Sequence, residues 1–306
     1  MRHSSVLIML SVKDGEKYIE EQVISFFRQT HKNWQLLVMD DGSTDNSIEI
    51  IKNLFKKEKK EKKLTIISRK NQGYFVAFRS LAILAGKFDY YAWSDQDDVW
   101  NNNKIELGLR KIKSHANNMP ILYCSKSSIV NKDLKFIKPS NDLPENPLFK
   151  TSLLQNIASG HTMIFNSHSL NLFNSSKIPK NFSIPHDWLM FILVSGNGGK
   201  ILTDNTQTVL YRQHKNNIIG YDEKILNKLR RFYKNNYREL SYQIYNLLKL
   251  NKKIFLAENY FFAKEFFNIK NKIVLKRFYF VWKNKLFKQT ITQNILFIIL
   301  LVFNRF

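Results

Sequence analysis

Four strand-like runs stand in the first part of the chain, the first three each followed by a stretch with helical spacing, and two of the four end directly in clusters of aspartate. Val6–Leu10 is unbroken apolar sequence, as expected of a central parallel strand buried on both faces. Glu16–Gln29 follows, with Ile19, Val23, Ile24 and Phe27 spaced along one helical face. Gln35–Met39 predicts a second strand, which ends in Asp40-Asp41-Gly42-Ser43-Thr44-Asp45. A helix over Asn46–Phe55 comes next, with Thr44 or Asp45 available as its cap. Leu64–Ile67 and Tyr74–Leu84 predict a third strand and helix, and Asp89–Trp93 a fourth strand that runs into Asp95-Gln96-Asp97-Asp98. Strands alternating with helices imply a parallel sheet with crossover helices, hence an α/β fold. In such sheets ligands sit beyond the carboxyl ends of the strands. Both acidic clusters occupy that position.

The rest of the chain differs in texture. From Leu143 to Gly220 it is punctuated by Pro144, Pro147, Pro179 and Pro185, with Pro139 just before, and by Gly196-Asn197-Gly198-Gly199. Strands and loops that complete the sheet and form an acceptor side are expected there. From Asp222 onward there is neither proline nor glycine, and Lys, aromatic and aliphatic residues recur at helical spacing. This shift divides the chain near 221 into a catalytic domain, 1–221, and a basic helical extension, 222–306. The apolar tail Ile295–Phe303 is shorter than the roughly 20 residues a membrane-spanning helix needs.

Composition narrows the function. At 306 residues and 44% hydrophobic content the chain can bury a core and is not disordered. A net charge of +23 implies attraction to a polyanion: nucleic acid, an anionic membrane surface or phosphorylated substrates. Part of the lysine excess travels with Asn and Ile, as in Asn251–Ile254 and Asn268–Ile273, a pattern that AT-rich coding also produces. The single cysteine, Cys124, excludes an internal disulfide and a Cys-rich zinc site. Met1–Ser11 lacks the longer apolar region of a signal peptide, so a cytoplasmic location is expected.

The acidic clusters suggest oxyanion and metal chemistry. Asp95, Asp97 and Asp98 place three carboxylates within four residues, which repel one another unless a cation or hydrogen-bond donors compensate. Mg²⁺ or Mn²⁺ prefers oxygen ligands and often bridges to substrate phosphates, although a solvated acidic loop with Asp98 as a turn residue has the same sequence. A carboxylate of Asp40-Asp41 can accept from a pyrimidine N–H or a ribose hydroxyl, or can form an Asx turn before the next helix. Downstream, Asp187 in His186-Asp187-Trp188 is a candidate general base or a helix-capping acid. Tyr211-Arg212-Gln213-His214 offers a guanidinium for phosphate and an imidazole for metal.

These motifs, in this order, resemble family 2 glycosyltransferases of the GT-A fold, in particular the rhamnosyltransferase-like group of polysaccharide biosynthesis. The likeness is carried by Asp14–Gln22, Gln29-Thr30, Val38–Asp45, Asn71-Gln72-Gly73, Ser94–Trp100, His186-Asp187-Trp188 and Tyr211–Asn217, and it covers roughly residues 4 to 220. It implies an inverting transfer of one sugar from a nucleotide-diphosphate donor. Asp41 is then expected at the pyrimidine ring with Ser11 lining the same pocket, and Asp95 at the ribose. Asp97 is expected to hold Mn²⁺ or Mg²⁺ on the diphosphate, with His214 as a further ligand, Arg212 on the leaving phosphate and Asp187 as catalytic base. Relatives usually carry an aromatic and an Asn where this chain has Lys13 and Asp14, which brings Lys13 to phosphate or ribose. Arg79-Ser80 replaces the family's frequent Arg-Asn. A dTDP-rhamnose donor is the first expectation, with UDP-linked galactose, glucose or their N-acetylated forms behind it.

The extension beyond 222 lies outside the likeness. Its mixture of Lys/Arg with Phe, Tyr, Leu and Ile, as in Lys228–Tyr237 and Lys276–Phe287, suits an anionic membrane surface and a lipid-linked glycan acceptor, with the protein peripheral on the inner face of the cytoplasmic membrane. Packing of these helices on the catalytic domain or on a partner subunit is the competing expectation. Two other functions fit less well. Nucleic-acid binding matches the charge, but no nucleic-acid module is recognisable and the acidic clusters would repel phosphate without metal. A non-catalytic scaffold of a polysaccharide-synthesis complex is disfavoured by the presence together of Asp41, Asp97 and Asp187.

Overall fold

A computed structural model describes residues 4–115, 118–178, 182, 184–215 and 237–304. The first half alternates as expected: β1 (Val6–Val12), α1 (Ile19–Phe27), β2 (Trp34–Asp40), α2 (Ser47–Lys57), β3 (Leu64–Ser68), α3 (Tyr74–Leu84) and β4 (Tyr90–Ser94). It continues with β5 (Val99–Trp100), α4 (Lys104–Lys113), β6 (Ile121–Val130), β7 (Phe136–Pro139), α5 (Phe149–Ser152), β8 (Met163–Asn166), α6 (Ser167–Ser175), α7 (His186–Gly196) and β9 (Lys200–Arg212). Four further helices close the described chain: α8 (Tyr237–Leu250), α9 (Ala257–Asn268), α10 (Val274–Lys283) and α11 (Ile291–Val302). Pro179, the basic stretch beginning at Lys228 and the expected boundary near 221 lie outside the described residues.

All nine described strands form one mixed sheet in the order β3-β2-β1-β4-β8-β6-β9-β5, with β7 paired to β6. β1, β2, β3 and β4 run parallel, and β8 joins antiparallel between β4 and β6. The period of two along each central strand sends its residues to opposite faces. Val6, Ile8, Leu10 and Val12 of β1 pack with Trp34, Leu36 and Val38 of β2 against α1, α2 and α4. Leu7, Met9, Leu37 and Met39 face the other side, against α3, α6 and α7. The result is an α/β/α sandwich with the loops after β1, β2 and β4 gathered at one edge.

Local chemistry explains how those loops are held. The cap position of α2 is taken by Asn46, not by Thr44 or Asp45, and its side chain makes no capping bond; Asp45, just before it, accepts the Ser47 N–H at 3.0 Å while Thr44 donates to Asp14. Gly42 has φ +82°, and a Cβ there would meet the backbone of Arg69 and Asn71 at 3.1 Å. β6 has the least obvious sequence of the sheet. Its ten residues are all buried, yet the second half reads Ser125-Lys126-Ser127-Ser128. Those side chains are satisfied by neighbours, among them Thr208 to Ser125 at 2.6 Å and His161 to Ser127 at 2.9 Å.

The C-terminal helices are integral to this core. Leu247, Phe266, Phe280, Phe297 and Leu301 join the same apolar cluster as Met9, Trp93 and Phe191. Arg277, itself buried, donates to the carbonyls of Lys272, Lys270 and Leu301 and so locks α10 to α11. Leu301→Ala should therefore lower the stability of the whole molecule by about 2–5 kcal/mol, the range for emptying a buried leucine site. Denaturant unfolding checks this; a catalytic domain unfolding at its wild-type midpoint would mean the helices are a separate unit.

Candidate active site

The loops at the carboxyl ends of β1, β2 and β4 are cross-tied by their own polar groups. The Lys13 N–H donates to Gln96 Oε1 at 2.8 Å, and Gln96 Nε2 donates back to the Lys13 carbonyl at 3.0 Å. Gly15 leaves room for this: a Cβ there would lie 2.6 Å from Gln96 Oε1. Asp14 adopts φ 47°, the left-handed region that Asp tolerates, and its carboxylate accepts from the Thr44 N–H at 2.8 Å. The Lys13 ammonium bridges the Gly42 carbonyl and Asp14, both at 2.7 Å. Ser11 sits half-buried in β1, opposite Met39 in the β1–β2 register.

Asp41 is enclosed, only 3% of its side chain being exposed. It receives Arg69 Nε at 2.9 Å, the Gln72 N–H at 3.0 Å and the Gly73 N–H at 2.8 Å, and so shapes the 69–73 loop that leads into α3. Asp40 does comparable work nearer home, accepting the Ser43 N–H at 2.8 Å.

The segment after β4 carries the strongest electrostatics. Gln22 of α1 donates to Ser94 Oγ at 2.6 Å and to the Asp95 carbonyl at 3.1 Å, fixing where the strand ends. From there the three carboxylates diverge. Asp95 is 41% exposed and faces the open side. Asp97 meets His214 Nε2 at 2.8 Å. Asp98 is wholly buried, its Oδ1 accepting the Arg212 N–H at 3.2 Å and its Oδ2 lying 3.4 Å from His161 Nδ1. Burial pushes Asp98 up to about 8, against the pull of His161. Burial and the neighbouring charge of Asp95 also raise Asp97, whereas for Asp95 the loss of solvent is outweighed by His161 and the net shift is downward. His161 is held above its ordinary value, because the charges of Asp98 and Asp95 overcome its burial.

His161 is the principal residue that sequence reasoning missed. It stands in a short turn before β8, stacks on Tyr211 with ring centroids 4.7 Å apart, and bonds Ser127. Ligand atoms of Asp95, Asp98 and His161 all lie within 4.8 Å of one another. Nothing local announces this, since Ser159-Gly160-His161 reads as an ordinary turn. Tyr18 is the second missed residue. Its ring stacks on His214 at 4.8 Å and lies 4.6 Å under the Arg212 guanidinium. Lys104 is the third: it is fully buried over the Trp100 ring at 4.7 Å, and burial lowers it to about 7.

The sequence-derived candidates thus converge, with one change of emphasis. Arg212 is 2% exposed, and its guanidinium pairs with Glu21, the Asp97 carbonyl (2.8 Å) and the Lys132 carbonyl (2.6 Å). In this arrangement it orders the acidic loop from behind. Asp187 opens α7, where the helix dipole favours a carboxylate. Its Oδ2 accepts the Gly160 N–H at 3.0 Å and its Oδ1 the Trp188 N–H at 2.7 Å. Gly160 is needed for this closeness, because a Cβ would meet His186 Nε2 at 2.6 Å. Asp187 and Asp95 both act on Tyr74, whose hydroxyl is raised first by burial and then by these two charges. The donor set, of several carboxylates with two imidazoles and mutual repulsion to relieve, fits a hard divalent cation; Asp97 with His214, and Asp95 with Asp98 and His161, are the groups able to hold one.

Comparison with known proteins places the chain. Residues 6–177 match the family model "Glycosyl transferase family 2". The chain belongs to that family, and its fold is that of GT-A glycosyltransferases. It is 25% identical over 238 residues to an uncharacterized glycosyltransferase of Rickettsia bellii, covering 74% of this chain and 33% of that protein. The chain thus spans about a third of the length of that curated relative. It is 24% identical over 218 residues to the dTDP-rhamnosyl transferase RfbG of Shigella flexneri, 69% of this chain and 73% of that one. Among solved structures, residues 1–349 of S. aureus TarS in complex with UDP-GlcNAc align with a TM-score of 0.61 at 15% identity, covering 92% of this chain and 79% of that one. The mannosyltransferase PcManGT of Pyrobaculum calidifontis, with GDP-Man and Mn²⁺, gives 0.56 at 11% identity, covering 100% and 86%. The family match ends before Asp187 and β9, so the geometry is what ties those residues to the acidic loops.

Arg212→Met should cost roughly 1–3 kcal/mol for each carbonyl it leaves without a donor. Arg212→Lys should recover only part of that, since the ammonium lacks the planar fork. Thermal unfolding of the two variants checks this; wild-type stability in both would remove Arg212 from the framework of the loop.

Proposed function

We propose that the protein transfers one sugar, with inversion at the anomeric carbon, from a nucleotide-diphosphate donor to a lipid-linked glycan acceptor during surface polysaccharide synthesis. The observation that carries this reading is the convergence of Asp41, the Asp95–Asp98 segment, His214 and Asp187 at the carboxyl edge of the sheet in a family 2 chain. Asp41, through the Arg69, Gln72 and Gly73 groups it holds, shapes the pocket for the pyrimidine ring that Ser11 also lines; Asp95 serves the ribose, and Lys13 the phosphate or ribose. Asp97 and His214 would hold Mn²⁺ or Mg²⁺, with Asp95, Asp98 and His161 adjoining. Such an ion would supply charge compensation for the diphosphate as it leaves. Asp187 takes the proton of the acceptor hydroxyl, a reading supported by the Gly160 and Trp188 amides that orient its carboxylate. Arg212 keeps the loop in register rather than touching phosphate.

The likeness to a dTDP-rhamnosyl transferase favours dTDP-rhamnose as donor, and the fold shared with a UDP-GlcNAc complex keeps UDP-sugars in the panel. The strongly basic charge of the chain supports a lipid carrier on an anionic membrane surface as the acceptor. The enzyme would then work at the cytoplasmic face of the membrane as a peripheral protein.

Two outcomes are expected. Release of nucleoside diphosphate from a panel of nucleotide sugars should show one preferred donor, depend on Mn²⁺ or Mg²⁺, and vanish in Asp97→Ala. Asp187→Asn should bind that donor normally yet transfer about 10²–10⁴-fold more slowly, the usual worth of a general base. A folded protein that neither binds nor hydrolyses any donor would leave the scaffold reading standing in place of this one.

A further inference from the structure

The outward side of the last two helices is a surface that the catalytic fold does not use. In α10, Leu275, Tyr279 and Trp282 are 77%, 59% and 71% exposed, at a spacing that keeps them on one face. In α11 the inner residues Phe297, Leu300 and Leu301 are buried, while Ile291, Ile295, Ile298 and Val302 form a second, exposed stripe. α11 contains no charged residue from Ile291 to Val302. A helix apolar on both sides is stable beside a core only when something covers its outer side. Arg277 pins the two helices together, so the two stripes are presented as neighbours.

Charge identifies the cover. From Phe266 to Phe306 the sequence holds eight Lys or Arg and not one Asp or Glu. Lys270, Lys272, Lys276, Lys283 and Lys285 are all exposed around the stripes. Where α10 ends it meets α5, and a cavity of about 240 Å³ opens between them, lined by Lys150, Lys283 and Lys285 with Thr151, Asn284 and Phe287 among the rest. No carboxylate lines it. Lys150 Nζ donates to Asn284 Oδ1 at 3.2 Å; with Lys283 and Lys285 it makes the lining of this cavity cationic, which suits a phosphate, and the adjoining apolar stripe suits acyl chains. α5 is in turn tied to the catalytic side, because Trp188 Nε1, next to Asp187, donates to the Ser152 carbonyl at 2.7 Å.

We propose that the α10–α11 face docks on a bilayer of anionic phospholipid, its aromatic and aliphatic stripes entering the headgroup boundary and the Lys150–Lys283–Lys285 cavity holding a lipid phosphate. The proposal deepens the reading of a membrane-borne acceptor, and it can fail while that enzyme activity stands. This mode of attachment is interfacial, and basic residues at the surface and apolar residues below it act together.

The full chain is tested on vesicles of phosphatidylcholine alone and with 30% phosphatidylglycerol. Wild type should sediment with the anionic vesicles only, release as salt is raised, and show a blue-shifted tryptophan emission. Leu275→Ser with Trp282→Ser, and separately Lys283→Glu, should each lower the partition coefficient at least tenfold. Trp282→Phe should bind but lose most of the shift, since Trp34, Trp93 and Trp100 are buried and Trp188 is half-buried with its Nε1 bonded to the Ser152 carbonyl. Donor hydrolysis without vesicles should be unchanged in all of them, which also reports folding. Wild type left in the supernatant, or a double variant that binds as wild type, overturns the proposal. So does sedimentation velocity showing a dimer that the double variant dissolves, for then a second copy covers this face.

Discussion

Everything at the donor edge depends on keeping three aspartates within four residues folded against one another. Asp95, Asp97 and Asp98 cannot be brought to the end of a buried strand unless their charge is met. The protein meets it in three different ways. Asp98 is buried under His161 and an Arg212 amide, Asp97 is paired with His214, and Asp95 is left open to solvent beside His161. Arg212 gathers the whole from behind through the Asp97 carbonyl and Glu21, and Tyr18 supports both Arg212 and His214. Of the three carboxylates, Asp95 is the one left open to solvent.

The second half of the molecule supplies this compensation. β9 and the residues just after it deliver Arg212 and His214, and the turn before β8 delivers His161; α7 brings a further carboxylate, Asp187, whose charge is met by the Gly160 and Trp188 amides. The mixed sheet makes such delivery possible, because β6 and β9 run parallel to each other while β8 returns antiparallel between β4 and β6. Gly160 and Gly15 mark the two places where backbone must come close to a side chain of another loop. A chain with the same acidic motifs but without the later strands would have no way to hold them.

Much of the catalytic half was legible in the sequence. Apolar runs, two of them ending in aspartates, placed β1, β2 and β4 to within a residue or two, and helical spacing placed the helix over Tyr74–Leu84 in full. The candidates Ser11, Lys13, Asp41, Asp95, Asp97 and His214 do lie around one edge. β6 escaped because its buried half is written in serines and a lysine that only tertiary partners satisfy. His161 and Lys104 escaped for a related reason: a lone histidine after a glycine and a lysine opening a helix have no pattern, and their burial is decided by strands distant in the chain. Arg212 was legible as a site residue, but its direction was not, since Glu21 lies 191 positions away. The extension beyond 221 was legible as basic, amphipathic helix, and its described helices do pack on the main core, which was the competing expectation; which Phe and Leu residues bury was not legible, because they look like those that stay outside.

The central claim is that the Asp95–Asp98 segment with His214 is built to present a divalent cation to a nucleoside diphosphate. Titration of Mn²⁺ into the protein, followed by electron paramagnetic resonance with and without UDP or dTDP, tests it most directly. One tightly held Mn²⁺ per chain, strengthened by the nucleotide and lost in both Asp97→Ala and His214→Ala, is the predicted result. Nucleotide binding that is indifferent to Mn²⁺, with the metal signal unchanged in those variants, would contradict it.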